Sequence, residues 1–266
     1  MYSQLNSINE SFRMSDLSAR QERIISLARE IGRVTVDDLA QRYVVTPQSI
    51  RRDLNEIAEL GLLQRVHGGA VLASGTENVG YEARRMLSQE EKRRIGIRTA
   101  ALVPDNCSLF INIGTTTEEV ARALVGRRGL MVVTNNLNVA NILHRSPGAE
   151  VIIAGGVVRG SDGGIVGEQT ADFIDQFKLD LAVIGASAID EEGALLDYDY
   201  REVRVARAII ANARRILLAA DHSKFARAAP VRIAHISQTD TFVTDTAPPD
   251  AVRALCAQHG VSITLA

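Results

Sequence analysis

Two folds in series are expected from this chain: a small winged helix-turn-helix module, then an α/β domain built on a mostly parallel sheet. Three observations lead there. Val34–Asn55 (VTVDDLAQRYVVTPQSIRRDLN) carries two capped helix starts, and Leu62–Val71 (LLQRVHGGAV) sets two short apolar runs around glycines, as a hairpin does. From Glu90 onward, short β-branched apolar runs alternate with helical stretches.

In the front module, Thr35 and Thr46 can each accept a hydrogen bond from the free N–H groups of a helix start. Pro47 follows at the first helical position, where its missing N–H costs nothing. Ile50, Leu54 and Ile57 recur at i, i+4, i+7 and predict a buried stripe, which turns Gln48, Ser49, Arg51, Arg52 and Asn55 outward. Amides, hydroxyls and guanidinium groups on one helix face suit the major groove of double-stranded DNA, where Arg pairs with guanine and Gln or Asn with adenine. Thr46, Gln48, Ser49, Arg51, Arg52 and Asn55 are therefore the candidate reading residues. Arg65 and His67, on the wing, would face the backbone or minor groove. The bland alternative is a protein-binding three-helix module with Arg51 and Arg52 on a solvated face.

Charge alone does not argue for DNA. From Ser18 to Leu72 eight arginines oppose seven carboxylates, so any positive field is local. A weakly charged reader calls for a second copy, and a symmetric dimer for half-sites one helical turn apart or a multiple of it.

At 266 residues the chain has room for two domains. The expected division is a tail over 1–17, the winged helix-turn-helix over 18–72, a linker over 73–89 that runs into a helix, and the larger domain over 90–266. Met14 opens MSDLSARQERI just before the first helix and is a second candidate start. The N-terminus lacks the basic start and apolar stretch of a secretory signal, and no apolar run approaches the ~18 residues of a membrane helix. Cys107 and Cys256 lie far apart without metal-ligand spacing. A cytoplasmic protein with reduced cysteines, no metal, no cofactor and no membrane partner is expected. Its net charge of −2 leaves the larger domain mildly acidic.

In that domain, strands are expected at Ser108–Ile113, Leu130–Thr134, Glu150–Ala154, Leu181–Ile184, Ile216–Ala219 and Thr241–Val243. Helices are expected within Thr117–Leu124, Asn138–His144, Asp172–Phe177 and Glu202–Ala213. Open α/β sheets bind ligands beyond the carboxyl ends of their strands. Gly114, Thr115 and Thr116 offer a tight turn and free amides at a helix start, suited to phosphate. Asn135 and Asn136 can bond hydroxyls, Gly155 and Gly156 allow close backbone approach, and Arg159 or Lys224 can meet negative charge. Taken singly, each has a bland reading: the glycines as turn residues, Arg159 as a surface ion pair, Asp197 and Asp199 as capping acids. As a set at successive strand ends they point to a phosphorylated small ligand.

The front segment from Arg20 through Val71 resembles the DeoR family of bacterial transcriptional repressors. The rear segments IGTT, VTNNLNVAN, AIDEEGALLDYDYREVR and DHSKF are similar to that family's sensor domain, in particular to repressors of glycerol 3-phosphate use. The resemblance implies a rear fold like ribose-5-phosphate isomerase and CoA transferases, with Gly114, Thr115 and Thr116 as phosphate loop, Asp197 and Glu202 on the polar segment, and Lys224 in DxSK. It also implies a homo-oligomeric repressor, dimer or tetramer, that leaves operator DNA when glycerol 3-phosphate binds and that catalyses nothing. A different sugar phosphate as effector remains open, as does, more remotely, an active isomerase with a DNA-binding appendage.

Overall fold

The computed structural model describes residues 17–59, 63–66, 68–72 and 81–266. The chain divides into two compact units, 1–87 and 88–266.

The first unit opens with α1 (Ala19–Ile31), fastened by a capping box between Ser18 and Gln21 and closed by Gly32 in the left-handed region (φ +77°). A short strand β1 (Arg33–Thr35) leads into α2 (Val36–Tyr43), whose cap is Thr35 accepting from the Asp38 N–H at 3.2 Å. Helix α3 (Pro47–Glu59) begins at the proline, and the Thr46 hydroxyl accepts from the Ser49 N–H at 3.2 Å. Both expected caps are present. Ile50, Leu54 and Ile57 are fully buried against Ile24, Val34, Leu39 and Leu63. Each such side chain contributes roughly 1.5–3 kcal/mol by leaving water.

The wing is β2 (Leu63–Val66) paired antiparallel with β3 (Gly69–Leu72). It is wider than expected, because β1 joins β3 as a third strand. Gly69 is required there: a Cβ would fall 2.0 Å from the Val34 carbonyl oxygen. Within the expected linker, Tyr81–Met86 forms a helix, α4.

The second unit is built on seven parallel strands: β4 (Ser108–Ile111), β5 (Leu130–Thr134), β6 (Ala149–Ile153), β9 (Leu179–Ile184), β12 (Ala213–Ala219), β14 (Thr241–Thr244) and β15 (Ser262–Leu265). Across the sheet their order is β15–β14–β12–β9–β4–β5–β6. The helices are α5 (Gln89–Ala100), α6 (Thr115–Leu124), α7 (Leu137–Leu143), α8 (Glu168–Ile174), α9 (Tyr200–Ala211) and α10 (Asp250–His259). Alternation along the central strands feeds two cores. Leu109, Ile111, Leu181 and Val183 enter one, while Phe110, Ala182 and Ile184 enter the other. Burial on both faces is why these strands read as unbroken apolar runs.

Two smaller pieces lie outside that sheet: a hairpin of β7 (Val157–Val158) and β8 (Ile165–Val166), and an antiparallel trio of β10 (Ala188–Ile189), β11 (Ala194–Asp197) and β13 (Val231–His235). The order of the large sheet positions the site. From β4 the chain steps outward through β5 to β6, then returns to the other side of β4 as β9. The loops after β4 and β9 therefore part, and parting loops open a crevice at the carboxyl ends.

Candidate functional site

On the front unit, Thr46, Gln48, Arg51, Arg52 and Asn55 are exposed and Ser49 is half-buried, so the outward face of α3 has the expected composition. Arg52 is partly engaged by Glu56 at 3.0 Å, one turn on. Asp53, on the same helix, is buried and held by Arg20. Arg65 departs from its expected outward reach: its Nη1 donates to the Gly69 carbonyl at 2.6 Å, which folds the guanidinium back across the wing. His67 lies outside the described residues.

On the rear unit, α6 starts at Gly114, whose φ of +151° suits glycine. Intrahelical bonding begins with Glu118 N–H to the Gly114 carbonyl at 3.0 Å, so the amides of Thr115, Thr116 and Thr117 precede the first intrahelical donor. Thr117 spends its hydroxyl on the carbonyls of Asn112 and Gly114, at 2.7 and 2.8 Å. The position of a Cβ on Gly185, just past β9, lies 3.8 Å from both Thr117 Cγ2 and the Ala219 carbonyl oxygen. The ends of β4, β9 and β12 thus meet at one rim.

Asn135, past β5, donates its Nδ2 to the Ile165 carbonyl at 3.0 Å. Its Oδ1 is buried with no hydrogen-bond partner among the described residues. A carbonyl can only accept, so this bond fixes which way the amide faces and leaves an acceptor suited to a hydroxyl donor. Asn136 differs from the expectation. It caps α7, accepting from the N–H groups of Asn138 and Val139, and its amide meets the buried carboxylate of Glu118 at 3.4 Å. Gly156 also differs: a Cβ there would lie 2.1 Å from the Thr170 hydroxyl, so the close approach it allows is by the protein itself. Gly155 has open space beside it, and its carbonyl accepts from Thr170 Oγ1 at 2.9 Å.

Arg159 is the largest departure. Its guanidinium bonds Asp162 twice (2.8 and 2.7 Å), Asp199 at 3.1 Å and Glu202 at 2.6 Å. Burial alone would lower its pKa; the bonds to Asp162 and the charges of Glu202 and Asp162 outweigh that and hold it raised. Arg159 and Glu202 are thus partners in an internal ion network rather than groups presented to a phosphate, and the three carboxylates would repel one. Asp199 additionally caps α9, accepting from the Arg201 N–H at 2.9 Å. Asp197 accepts from Ser187 Oγ at 2.9 Å and from the Tyr198 N–H at 2.6 Å.

Lys224 lies past β12, nearly buried, with its ammonium 3.9 Å from Asp221. Two groups here escaped the sequence reading. Asp221 is fully buried, and Lys92 on α5 is buried within electrostatic reach of it. Burial would raise the Asp221 pKa, but the Lys224 and Lys92 ammoniums outweigh it and hold the carboxyl at about 2. Lys224 and Lys92 thus both bring their charge to bear on the Asp221 carboxylate. Among the described residues no cluster of His, Cys, Asp and Glu could hold a metal, and no helix is long and apolar enough to cross a membrane.

Comparison with known proteins covers both units. Residues 20–76 match the DeoR-like helix-turn-helix domain, and residues 87–246 the DeoR C terminal sensor domain. The glycerol-3-phosphate regulon repressor of Escherichia coli (strain K12) is 47% identical over 246 residues, which cover 92% of this chain and 98% of that protein. The repressor of the same name from Haemophilus influenzae is 47% identical over 238 residues, covering 90% and 93%. Among solved structures, ribose 5-phosphate isomerase A from Neisseria gonorrhoeae overlaps half of the chain and 52% of its own, with a TM-score of 0.38 and 16% identity. With both of its domains matched and its relatives aligned nearly end to end, this chain belongs to the DeoR family of transcriptional regulators.

Proposed function

We propose that the protein is a DNA-binding transcriptional repressor of genes for glycerol and glycerol 3-phosphate use, released from its operator by glycerol 3-phosphate. The observation that carries this reading is the 47% identity to glycerol-3-phosphate regulon repressors across 92% of the chain, through reader and sensor alike. In this reading residues 18–72 are the reader, 73–89 the linker and 90–266 the sensor, and the protein acts in the cytoplasm as a homo-oligomer. Gln48, Arg51, Arg52 and Asn55 enter the major groove, with Thr46 and Ser49 toward the backbone.

At the sensor rim, the amides of Thr115–Thr117, at the positive end of α6, receive the phosphate, with Lys224 and Lys92 supplying charge. Asn135 Oδ1 accepts from a ligand hydroxyl. Glycerol 3-phosphate has no carbonyl to isomerise, so the rim recognises and does not convert. Effector and operator are linked: if each favours a different arrangement of the oligomer, each weakens the other by the same factor, typically 1–3 kcal/mol of coupling.

A gel shift on DNA upstream of the protein's own gene tests this. The complex should form without effector and dissolve with glycerol 3-phosphate. Dissolution only by another phosphorylated three- to six-carbon compound would move the assignment to that effector. A complex indifferent to all of them would end the reading.

A further inference from the structure

His222 and Asp245 stand side by side just past the carboxyl ends of β12 and β14, neighbouring strands of the large sheet. Asp245 is buried. One of its oxygens accepts the His222 backbone N–H at 2.8 Å, and the other lies 2.6 Å from His222 Nδ1. A carboxylate can only accept, so Nδ1 carries the proton, and Nε2 is the ring's remaining hydrogen-bonding position. The imidazole side chain is 41% exposed. Holding the turn does not by itself require the ring bond, because Asp221 already caps this segment by accepting from the Ser223 N–H at 3.0 Å. A buried carboxylate that fixes the plane and tautomer of a partly open imidazole is the arrangement used to aim a ring nitrogen.

The location gives that nitrogen a target. His222 directly follows Asp221, whose carboxylate feels both rim ammoniums, and β12 lies two strands from β4, where the phosphate-binding turn begins. We infer that His222 is a specificity-determining residue of the effector site, its Nε2 bonding a hydroxyl at the end of a short phosphorylated polyol remote from the phosphate, with Asp245 positioning the ring. The inference rests on the reading above, that the rim holds a phosphorylated effector. The ring lies between the ends of β12 and β14, two to three strand spacings or about 10–14 Å from β4, and a hydrogen bond of about 2.8 Å at each end leaves roughly 4–9 Å. From a phosphate oxygen to its far hydroxyl oxygen glycerol 3-phosphate runs six bonds of about 1.5 Å, which span about 7 Å when extended and fill that gap. Inorganic phosphate is too short to bridge it.

The test is calorimetric titration of the full-length protein with sn-glycerol 3-phosphate and, separately, with inorganic phosphate. His222→Asn keeps an amide donor where Nδ1–H stands and removes Nε2, while His222→Gln returns an amide near the Nε2 position. The expected result is that His222→Asn raises the Kd for glycerol 3-phosphate tenfold or more, at unchanged melting temperature and unchanged phosphate affinity. His222→Gln should recover part of the loss, and Asp245→Asn should fall between wild type and His222→Asn. Wild-type affinity in His222→Asn would overturn the inference alone, as would equal weakening of both ligands. A wild-type protein that binds neither ligand would remove the functional reading and this inference together.

Discussion

Arg20 and Asp53 form a two-point ion pair, Nε to Oδ2 at 2.6 Å and Nη2 to Oδ1 at 3.0 Å, that ties the first turn of α1 to the middle of α3. The exposed face of α3 is thereby held by a contact on the opposite side of its own helix. Arg20→Ala leaves a buried carboxylate without its partner and should destabilise the front unit by about 1–3 kcal/mol. Urea unfolding followed with a probe in that unit measures the loss, and operator affinity should fall with it. A variant as stable as wild type would show that the pair is ornamental.

The division of labour predicts opposite outcomes for two single changes. Arg51→Ala should weaken operator binding by about 1–3 kcal/mol if its contact is bidentate to guanine, with effector affinity intact. Thr115→Val, at the start of α6, should weaken effector binding and spare operator binding. Fluorescence anisotropy with operator DNA and calorimetry with glycerol 3-phosphate, run on both variants, separate the two. Equal damage to both activities in both variants would contradict the assignment.

Arg159 is expected to matter for folding more than for ligand. Arg159→Ala strands Asp162, Asp199 and Glu202 together with their cation gone, a change that typically costs about 3–5 kcal/mol when a buried pair loses one member. The rear unit should melt well below wild type. An unaltered melting temperature with lost effector affinity would instead return Arg159 to the ligand.

Asp221 predicts a pH dependence. Its carboxyl is held at about 2, below the ordinary 3.8, by Lys224 and Lys92 against the opposing effect of burial. A carboxyl whose folded pKa is depressed contributes stability above its unfolded pKa, and that contribution is lost as pH falls through the folded value. Between pH 4 and pH 2 the rear unit should therefore lose about 2 kcal/mol from this group. Unfolding free energies measured across that window should fall less steeply in Asp221→Asn, whose stability at neutral pH should already be lower.

Much of the fold was legible because its signals are local. Caps at Thr35 and Thr46, Pro47, and the Ile50, Leu54, Ile57 stripe are patterns of neighbouring residues, and each stands where the sequence places it. The six expected strands are present, since doubly buried strands announce themselves as apolar runs. What was missed is long-range or short. β15 and α10 follow the last expected strand, and the two-residue strands β7, β8 and β10 are too brief to show a period.

The candidate site follows the same division. The strand-to-helix turn at Gly114, Thr115 and Thr116 was legible as a turn. Lys92 was not, because it meets Asp221 from a helix more than a hundred residues earlier in the chain. Arg159 misled for the reciprocal reason: an arginine near a glycine-rich turn reads as an anion ligand until Asp199 and Glu202 arrive from α9 to claim it. His222 and Asp245 are joined only by the adjacency of β12 and β14.

The central claim is that effector binding at the rear sheet's rim and operator binding at α3 oppose each other. Calorimetric titration of glycerol 3-phosphate into the protein, alone and saturated with an operator fragment, tests it directly. The apparent Kd should be about 5- to 150-fold higher with DNA present, the range that 1–3 kcal/mol of coupling allows. The same Kd with and without DNA would contradict the account.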